Sequence, residues 1–438
     1  MEHFGQSGAT TATRRLEAAQ ELVSRHNHLV VVSAMSPQQP DHLLASIIRV
    51  ARHEGVRLKI LFADLTGSLA FLDHQARNDV LEGSLELVSL AGVVPRDLSP
   101  HISHFSTTLW DIDRQLSAGH IHVDAFVARV HRTEEATTVS LGPMVGYTTS
   151  ALAVANLVCL EIAPAFTGPH TVSIILTESQ MTYRDDEYLP PAVNPAKPWT
   201  DEQWAIAKNV SDIIPNEATI QLGLGAVPEA VASSLTGKHD LGLHSGILPI
   251  SLAGAIAAGV FTGVAKDSHI GKHVATGVMS PIGREGETWP DSVLLLPLSE
   301  THSPSTLQSI KRLWSINSAF EIDLFGRVNA EYVNKVRVAA GGGQADFFHG
   351  AHISPEGGSV LALPSRTTQG LPRLVPCLGD PCVSTTPPSD IDFVVTEHGV
   401  AALSGLTALE CRDALISIAH PADRSALAEA ARGTLQAP

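Results

Sequence analysis

His28-Leu29-Val30-Val31-Val32-Ser33 is a short, uninterrupted, β-branched apolar run, the pattern of a strand covered on both faces of a parallel sheet. An amphipathic helical pattern over residues 13–26 precedes it, a second over 41–53 follows, and then comes Leu58-Lys59-Ile60-Leu61-Phe62. Two parallel strands need a crossover of helix length between them, so this order reads as a right-handed βαβ unit. The alternation continues through strands predicted at 85–88, 125–130 and 157–162, with a helix after Tyr147. The fold class is therefore α/β with largely parallel sheets.

A chain of 438 residues exceeds one compact core, and two domains of about 200 residues each are expected. Residues 188–199 read Tyr-Leu-Pro-Pro-Ala-Val-Asn-Pro-Ala-Lys-Pro-Trp. This proline density excludes a helix or a central strand, so it marks a linker between an N-terminal domain, 1–187, and a C-terminal domain, 200–438. The second domain opens with a helix over 201–210 and a strand over 218–222. The turn Gly223-Leu224-Gly225-Ala226-Val227-Pro228 and a helix of small residues over 229–235 follow. Pro228 stands where a dinucleotide fingerprint needs its third glycine, and no acidic residue ends a second strand about 20 positions on, so a Rossmann site is rejected.

The formal charge is −16 with no run of consecutive basic residues, which argues against a nucleic-acid surface. Cys159, Cys377, Cys382 and Cys411 fit no zinc spacing. His101, His104, His120 and His122 cluster locally, but among 21 histidines this is read as chance, and no metal is expected. The first residues lack a secretory pattern, and the apolar runs fall short of the roughly 18 residues of a membrane span. A cytoplasmic protein, without membrane or nucleic-acid partners, is expected.

Two segments carry the chemistry. One is Asp240-Leu241-Gly242-Leu243-His244-Ser245-Gly246-Ile247-Leu248-Pro249, and the other is Ala340-Gly341-Gly342-Gly343-Gln344-Ala345-Asp346-Phe347, expected to face it. The first is not a nucleophile elbow, because Gly242 stands three residues before Ser245 and Gly246 directly follows it. On an extended segment His244 and Ser245 would also point to opposite faces. The glycines at 341–343 allow a close backbone approach and amides turned toward a substrate oxygen.

Both segments resemble active-site segments of the acetyl-CoA hydrolase/transferase family. So do the block from Ser315-Ile316-Asn317-Ser318 to Glu331, Val395-Thr396-Glu397-His398-Gly399-Val400-Ala401, and the closing Ala419-His420-Pro421; the turn Ser140-Leu141-Gly142 is similar to one in the family's first domain. The resemblance implies two CoA-transferase-type α/β domains with an active-site cleft between them and a homodimer. CoA or acyl-CoA would be the substrate, with a small-molecule acceptor and no permanently bound cofactor. Gly223, Gly225, Gly341, Gly342, Gly343 and Gln344 would hold the acyl-CoA. The family nucleophile is a glutamate after a His-Ser or His-Thr pair, and here that position is Gly246. Gly246 cannot form the acyl-glutamyl and glutamyl-CoA species of the family route.

Glu300, where relatives often carry tyrosine, His302 and His244 are the candidate replacements, the first as a relocated carboxylate and the histidines as general bases. The missing side chain is expected to open space beside the thioester carbonyl, so that the acyl group passes directly to an acceptor or to water. The rival readings are CoA transfer through Glu300 and a silent acyl-CoA-binding protein. His349 occupies a place where the family frequently has arginine.

Overall fold

The computed structural model describes residues 10–186, 188, 198–279 and 289–434. Most of the expected linker, residues 189–197, lies outside them; Trp199 is described and stacks edge-on against Trp204.

The first sheet has ten strands. Its parallel centre runs Leu85–Val93, Arg57–Asp64, His28–Ser33, Ala125–Arg132, Leu157–Ala163 and Gln180–Arg184 in spatial order. Chain order reverses between His28–Ser33 and Ala125–Arg132, the kind of switch point at which open α/β sheets form a crevice. The strand expected from Val30-Val31-Val32 is buried along nearly its whole length, with only His28 exposed. The helix Asp41–Glu54 returns from it and ends at Gly55 in the left-handed region, where glycine carries no Cβ penalty.

The second sheet has six strands in the order Gly242–Leu243, Thr219–Leu222, Leu313–Asn317, Gly358–Ala362, Phe393–Thr396 and Gly399–Ala402. All pairings are parallel except the last. The helix Asp201–Ile213 leads into it, held at its start by a capping box in which Thr200 and Gln203 satisfy each other's backbone amides. The helix after the Gly-x-Gly turn begins at Ala226, three residues earlier than the pattern predicts, because Pro228 falls in its first turn, where a missing amide costs nothing.

The two sheets are joined by more than the chain connection. Ala339–Ala340 pairs antiparallel with Val93 and Gly92 at the edge of the first sheet, so a strand from the second half closes an edge of the first. One apolar core runs from Val32 and Phe126 through Tyr147 to Leu243, Leu248 and Leu298, across both sheets.

No helix among the described residues is long and apolar enough to cross a membrane, and no three His, Cys, Asp or Glu side chains among them converge as a metal site. The cysteines are all free. Cys159 is buried, and Cys377 is exposed and accepts a hydrogen bond from Arg327 at 2.9 Å.

Candidate active site

Gly246 lies where the two sheets meet. Its carbonyl accepts hydrogen bonds from the amides of Thr276 and Gly277, at 2.8 and 3.2 Å. Thr276 in turn accepts the Gly146 amide on its hydroxyl and the Val145 amide on its carbonyl. The turn that follows Ser140-Leu141-Gly142 is thus tied to Gly246 through one threonine.

The side chains facing Gly246 come from two other segments. A Cβ added at Gly246 would stand 3.4 Å from His302 Nε2 and 3.7 Å from Phe347 Cε2. Phe347 is edge-on to His302, with ring centroids 4.7 Å apart, and to His244 at 6.4 Å. His244, Gly246, His302 and the glycine-rich loop therefore converge, as expected. The expected opening beside Gly246 does not: two buried rings stand at contact distance. Neither is Ile247 or Leu248, the neighbours in sequence.

Thr301 organises both histidines. His302 Nδ1 lies 2.8 Å from the Thr301 hydroxyl, which donates its own hydrogen to the Pro297 carbonyl at 3.1 Å. The Pro297 carbonyl also takes the amides of Glu300 and Thr301; the arrangement that satisfies both contacts of the Thr301 hydroxyl has His302 donating from Nδ1, which leaves Nε2 with the bare lone pair. His244 Nε2 lies 2.9 Å from the Thr301 carbonyl, which can only accept, so the bare nitrogen of His244 is Nδ1. Both bare nitrogens are buried and without a partner among the described residues. Burial pushes each ring down to about 3, with Lys266 adding to the effect at His244 and His244 adding to it at His302. Both rings are neutral at ordinary pH. Lys266 itself is buried, donating to the Leu243 and Lys272 carbonyls, and is lowered to about 8 by desolvation.

Sequence reading missed Thr301. A threonine between Glu300 and His302 carries no motif, and its role appears only when the chain folds His244 beside it. Glu300, on the short helix Leu298–Thr301, is exposed and has no side-chain partner among the described residues.

The glycine loop is required by the protein itself at two of its three positions. A Cβ at Gly341 would collide with the Thr107 carbonyl, and one at Gly343 would come within 2.6 Å of His302 Nε2. Only Gly342 has open space. The loop docks on the first half of the chain: Leu109 donates its amide to the Gly342 carbonyl, and Asp346 accepts the Trp110 amide at 3.1 Å, at the start of helix Leu109–Ser117. Desolvation raises the Asp346 carboxyl to about 7 against the hydrogen bonds from Thr108, Trp110 and Leu109. The helix Gln344–Ile353 begins at Gly343 with no side-chain cap, leaving its first amides unclaimed by a side chain. Gln344 donates to the Thr386 hydroxyl, and His349 meets Asp390 at 3.2 Å.

The Gly-x-Gly turn is set by a buried network. Gln221 accepts from Ser315 and Asn317, and Asn317 Oδ1 fills the place a Cβ at Gly223 would take. Gly225, at φ +122°, lines a cavity of about 360 Å³ together with Gln203, Val227, Ser318, Phe320 and Arg373. Arg373 donates to the Ala319 and Phe320 carbonyls, while its Nε is buried without a partner.

The chain is similar to known proteins over most of its length. Residues 289–431 match the acetyl-CoA hydrolase/transferase C-terminal domain. The chain is 29% identical over 428 residues to a 4-hydroxybutyrate coenzyme A transferase of Clostridium kluyveri, covering 94% of this chain and 96% of that one. It is 32% identical over 292 residues to a succinyl-CoA:cyclohexane-1-carboxylate CoA transferase of Geobacter metallireducens, 66% of each chain. Its fold overlays the crystal structure of RipA from Yersinia pestis with a TM-score of 0.81 at 25% identity, over 95% of this chain and 97% of that one. This chain belongs to the acetyl-CoA hydrolase/transferase family.

Proposed function

We propose that this protein acts on acyl-CoA thioesters without a carboxylate at position 246, passing the acyl group directly to an acceptor or to water. One observation carries the reading: a neutral imidazole, His302, turns a bare nitrogen toward Gly246. The relatives named as CoA transferases and as acetyl-CoA hydrolases supply the substrate class.

In this reading the cavity beside Gly225 takes part of the CoA. The guanidinium of Arg373 and the uncapped amides of helix Ala226–Ser234 offer positive charge to a phosphate there. The first amides of helix Gln344–Ile353 face the developing oxyanion. His302 accepts the proton of the attacking group and returns it to the departing thiolate. An efficient acid–base group has its pKa near the operating pH, so the ring, held down to about 3 in the closed site, serves this task once bound substrate raises its proton affinity.

A second reading, acyl-CoA binding without turnover, draws support from the closed packing of His302 and Phe347 around Gly246. The test is free-thiol release from a panel of acyl-CoAs, with and without acceptors, by wild type beside Gly246→Glu, Glu300→Gln and His302→Gln. The proposal expects turnover in wild type and in Glu300→Gln and its loss in His302→Gln. Loss in Glu300→Gln would instead point to a relocated carboxylate. Silence in wild type with CoA exchange in Gly246→Glu would leave the binding reading.

A further inference from the structure

We infer that Thr301 sets the acceptor class of this site: the tautomer it fixes on His302 admits acceptors that bring a hydrogen, such as water, alcohols or amines, and rejects carboxylates. The inference rests on the thioester reading above and goes beyond it, because it names the class of second substrate and the residue that selects it.

With its hydrogen on the Pro297 carbonyl, the arrangement that satisfies both of its contacts, the Thr301 hydroxyl accepts from His302 Nδ1. The opposite face of the ring is then acceptor-only. His302 Nε2 is buried and without a partner among the described residues, 3.4 Å from the place of a Cβ on Gly246 and 2.6 Å from that of one on Gly343. His302 is 1% exposed and Thr301 is 0% exposed, so water does not substitute for either contact. The packing around Gly246 is closed in this structure, so an acceptor reaches Nε2 only when that packing opens, and an attacking group placed there must satisfy the lone pair. An O–H or N–H group donates to it. A carboxylate carries only lone pairs and would face it with like charge density, leaving two desolvated acceptors opposed. Discrimination is strong when the wrong partner leaves buried polar groups unpaired.

The step balances without any other reagent. The acceptor oxygen or nitrogen bonds to the thioester carbonyl carbon as its proton moves to His302 Nε2. The tetrahedral species collapses, the carbon–sulfur bond breaks, and the thiolate of CoA takes the proton from Nε2. The products are the acylated acceptor, or free acid when water attacks, and CoA thiol. His302 returns to its starting tautomer with Nδ1–H still on Thr301. His244, whose Nε2–H is held by the carbonyl of the same residue, has its bare nitrogen at Nδ1. Thr301 thus orients both rings, and its own role is positioning, since its hydroxyl is turned away from Gly246.

The test compares full-length wild type, Thr301→Val and Thr301→Ser. Imidazole nitrogen NMR on protein labelled at histidine, with His302→Gln to assign the signal, reads the tautomer directly. Thiol release is measured with water, a primary alcohol, a primary amine and, separately, acetate or butyrate as acceptors. The expected result is an Nδ1–H tautomer at His302 in wild type and turnover with protic acceptors, without acyl-CoA exchange onto carboxylates. Thr301→Val should mix the tautomers and lower kcat about 10- to 100-fold with KM nearly unchanged, and Thr301→Ser should restore both signals. Wild-type turnover with carboxylates as good as with protic acceptors would overturn the inference and leave the thioester reading intact. Full kcat and an unchanged tautomer in Thr301→Val would also overturn it. No turnover with any acceptor would overturn both.

Discussion

A Cβ placed on Gly246 would stand 3.4 Å from His302 Nε2, about the reach of a glutamate carboxylate oxygen from its own Cβ over three covalent bonds. A glycine at position 246 and a buried histidine at 302 are thus spatial complements, and each limits what the other position can carry.

The contrast between Gly246 and Gly343 is measurable. At Gly246 a methyl group meets only ordinary contacts, whereas at Gly343 it comes within 2.6 Å of the imidazole. Gly246→Ala should change stability by less than about 1 kcal/mol, and Gly343→Ala should lose about 1–3 kcal/mol through overpacking. Urea denaturation of the two variants checks the difference.

Docking of the glycine loop is predicted to fail at one position and tolerate change at the next. Gly341→Ala meets the Thr107 backbone carbonyl, which cannot rotate away, while Gly342→Ala enters open space. The first should destabilise by about 1–3 kcal/mol and increase hydrogen exchange at Val93 and Leu109, whose segments bond the loop. The second should remain within about 0.5 kcal/mol of wild type.

Stability should fall as the pH drops below the ordinary histidine range. His244 and His302 are held neutral down to about 3 in the folded state, while the unfolded chain takes up those protons near pH 6.5. Between these values the unfolded state binds more protons, so stability rises with pH, with a limiting slope of about 1.4 kcal/mol per unit for each ring. Asp346, raised to about 7, acts in the opposite direction: its contribution is full below the ordinary aspartate range and is lost as pH rises toward 7. His104 and His273, each lowered by burial to about 4, act with the two site rings, and Asp41, Asp113, Glu229 and Glu331, raised by desolvation, act with Asp346; the four histidine shifts are the larger, so the net trend is loss toward acid. Midpoints of urea denaturation across pH 4–7 test this, with His302→Gln expected to flatten the profile.

Arg373 gives a binding prediction separate from the chemistry. Arg373 lines the Gly225 cavity, so Arg373→Gln should raise KM for acyl-CoA about 10-fold and leave kcat nearly unchanged, as expected for contacts equal in ground and transition states. Initial-rate kinetics decide it. A fall in kcat at constant KM would count against a binding role.

The fold was largely legible in the sequence because its strands are short, apolar and buried on both sides. Val31 and Val32 pair with Ala125 and Phe126 in the sheet centre, all four buried. The helix starting at Asp41 was read to within one residue of its observed end, Glu54, after which Gly55 stops it. The site was legible only as a set of segments. Gly246 and His302 are 56 positions apart in the sequence, and nothing in spacing tells that the ring of one fills the side-chain space of the other. Thr301 was invisible for the same reason. The glycines of the loop were read as making room for substrate, when Gly341 and Gly343 make room for Thr107 and His302.

The antiparallel pairing of Ala339–Ala340 with Val93 and Gly92 has a consequence for how such chains can be recombined. A chimera that joined the first half of this protein to the second half of a relative at the proline-rich stretch would inherit mismatched partners: Thr107 from one parent would face the position of Gly341 from the other. The heritable unit is therefore the seam, with both of its sides, and substitutions at either side are permitted only in company.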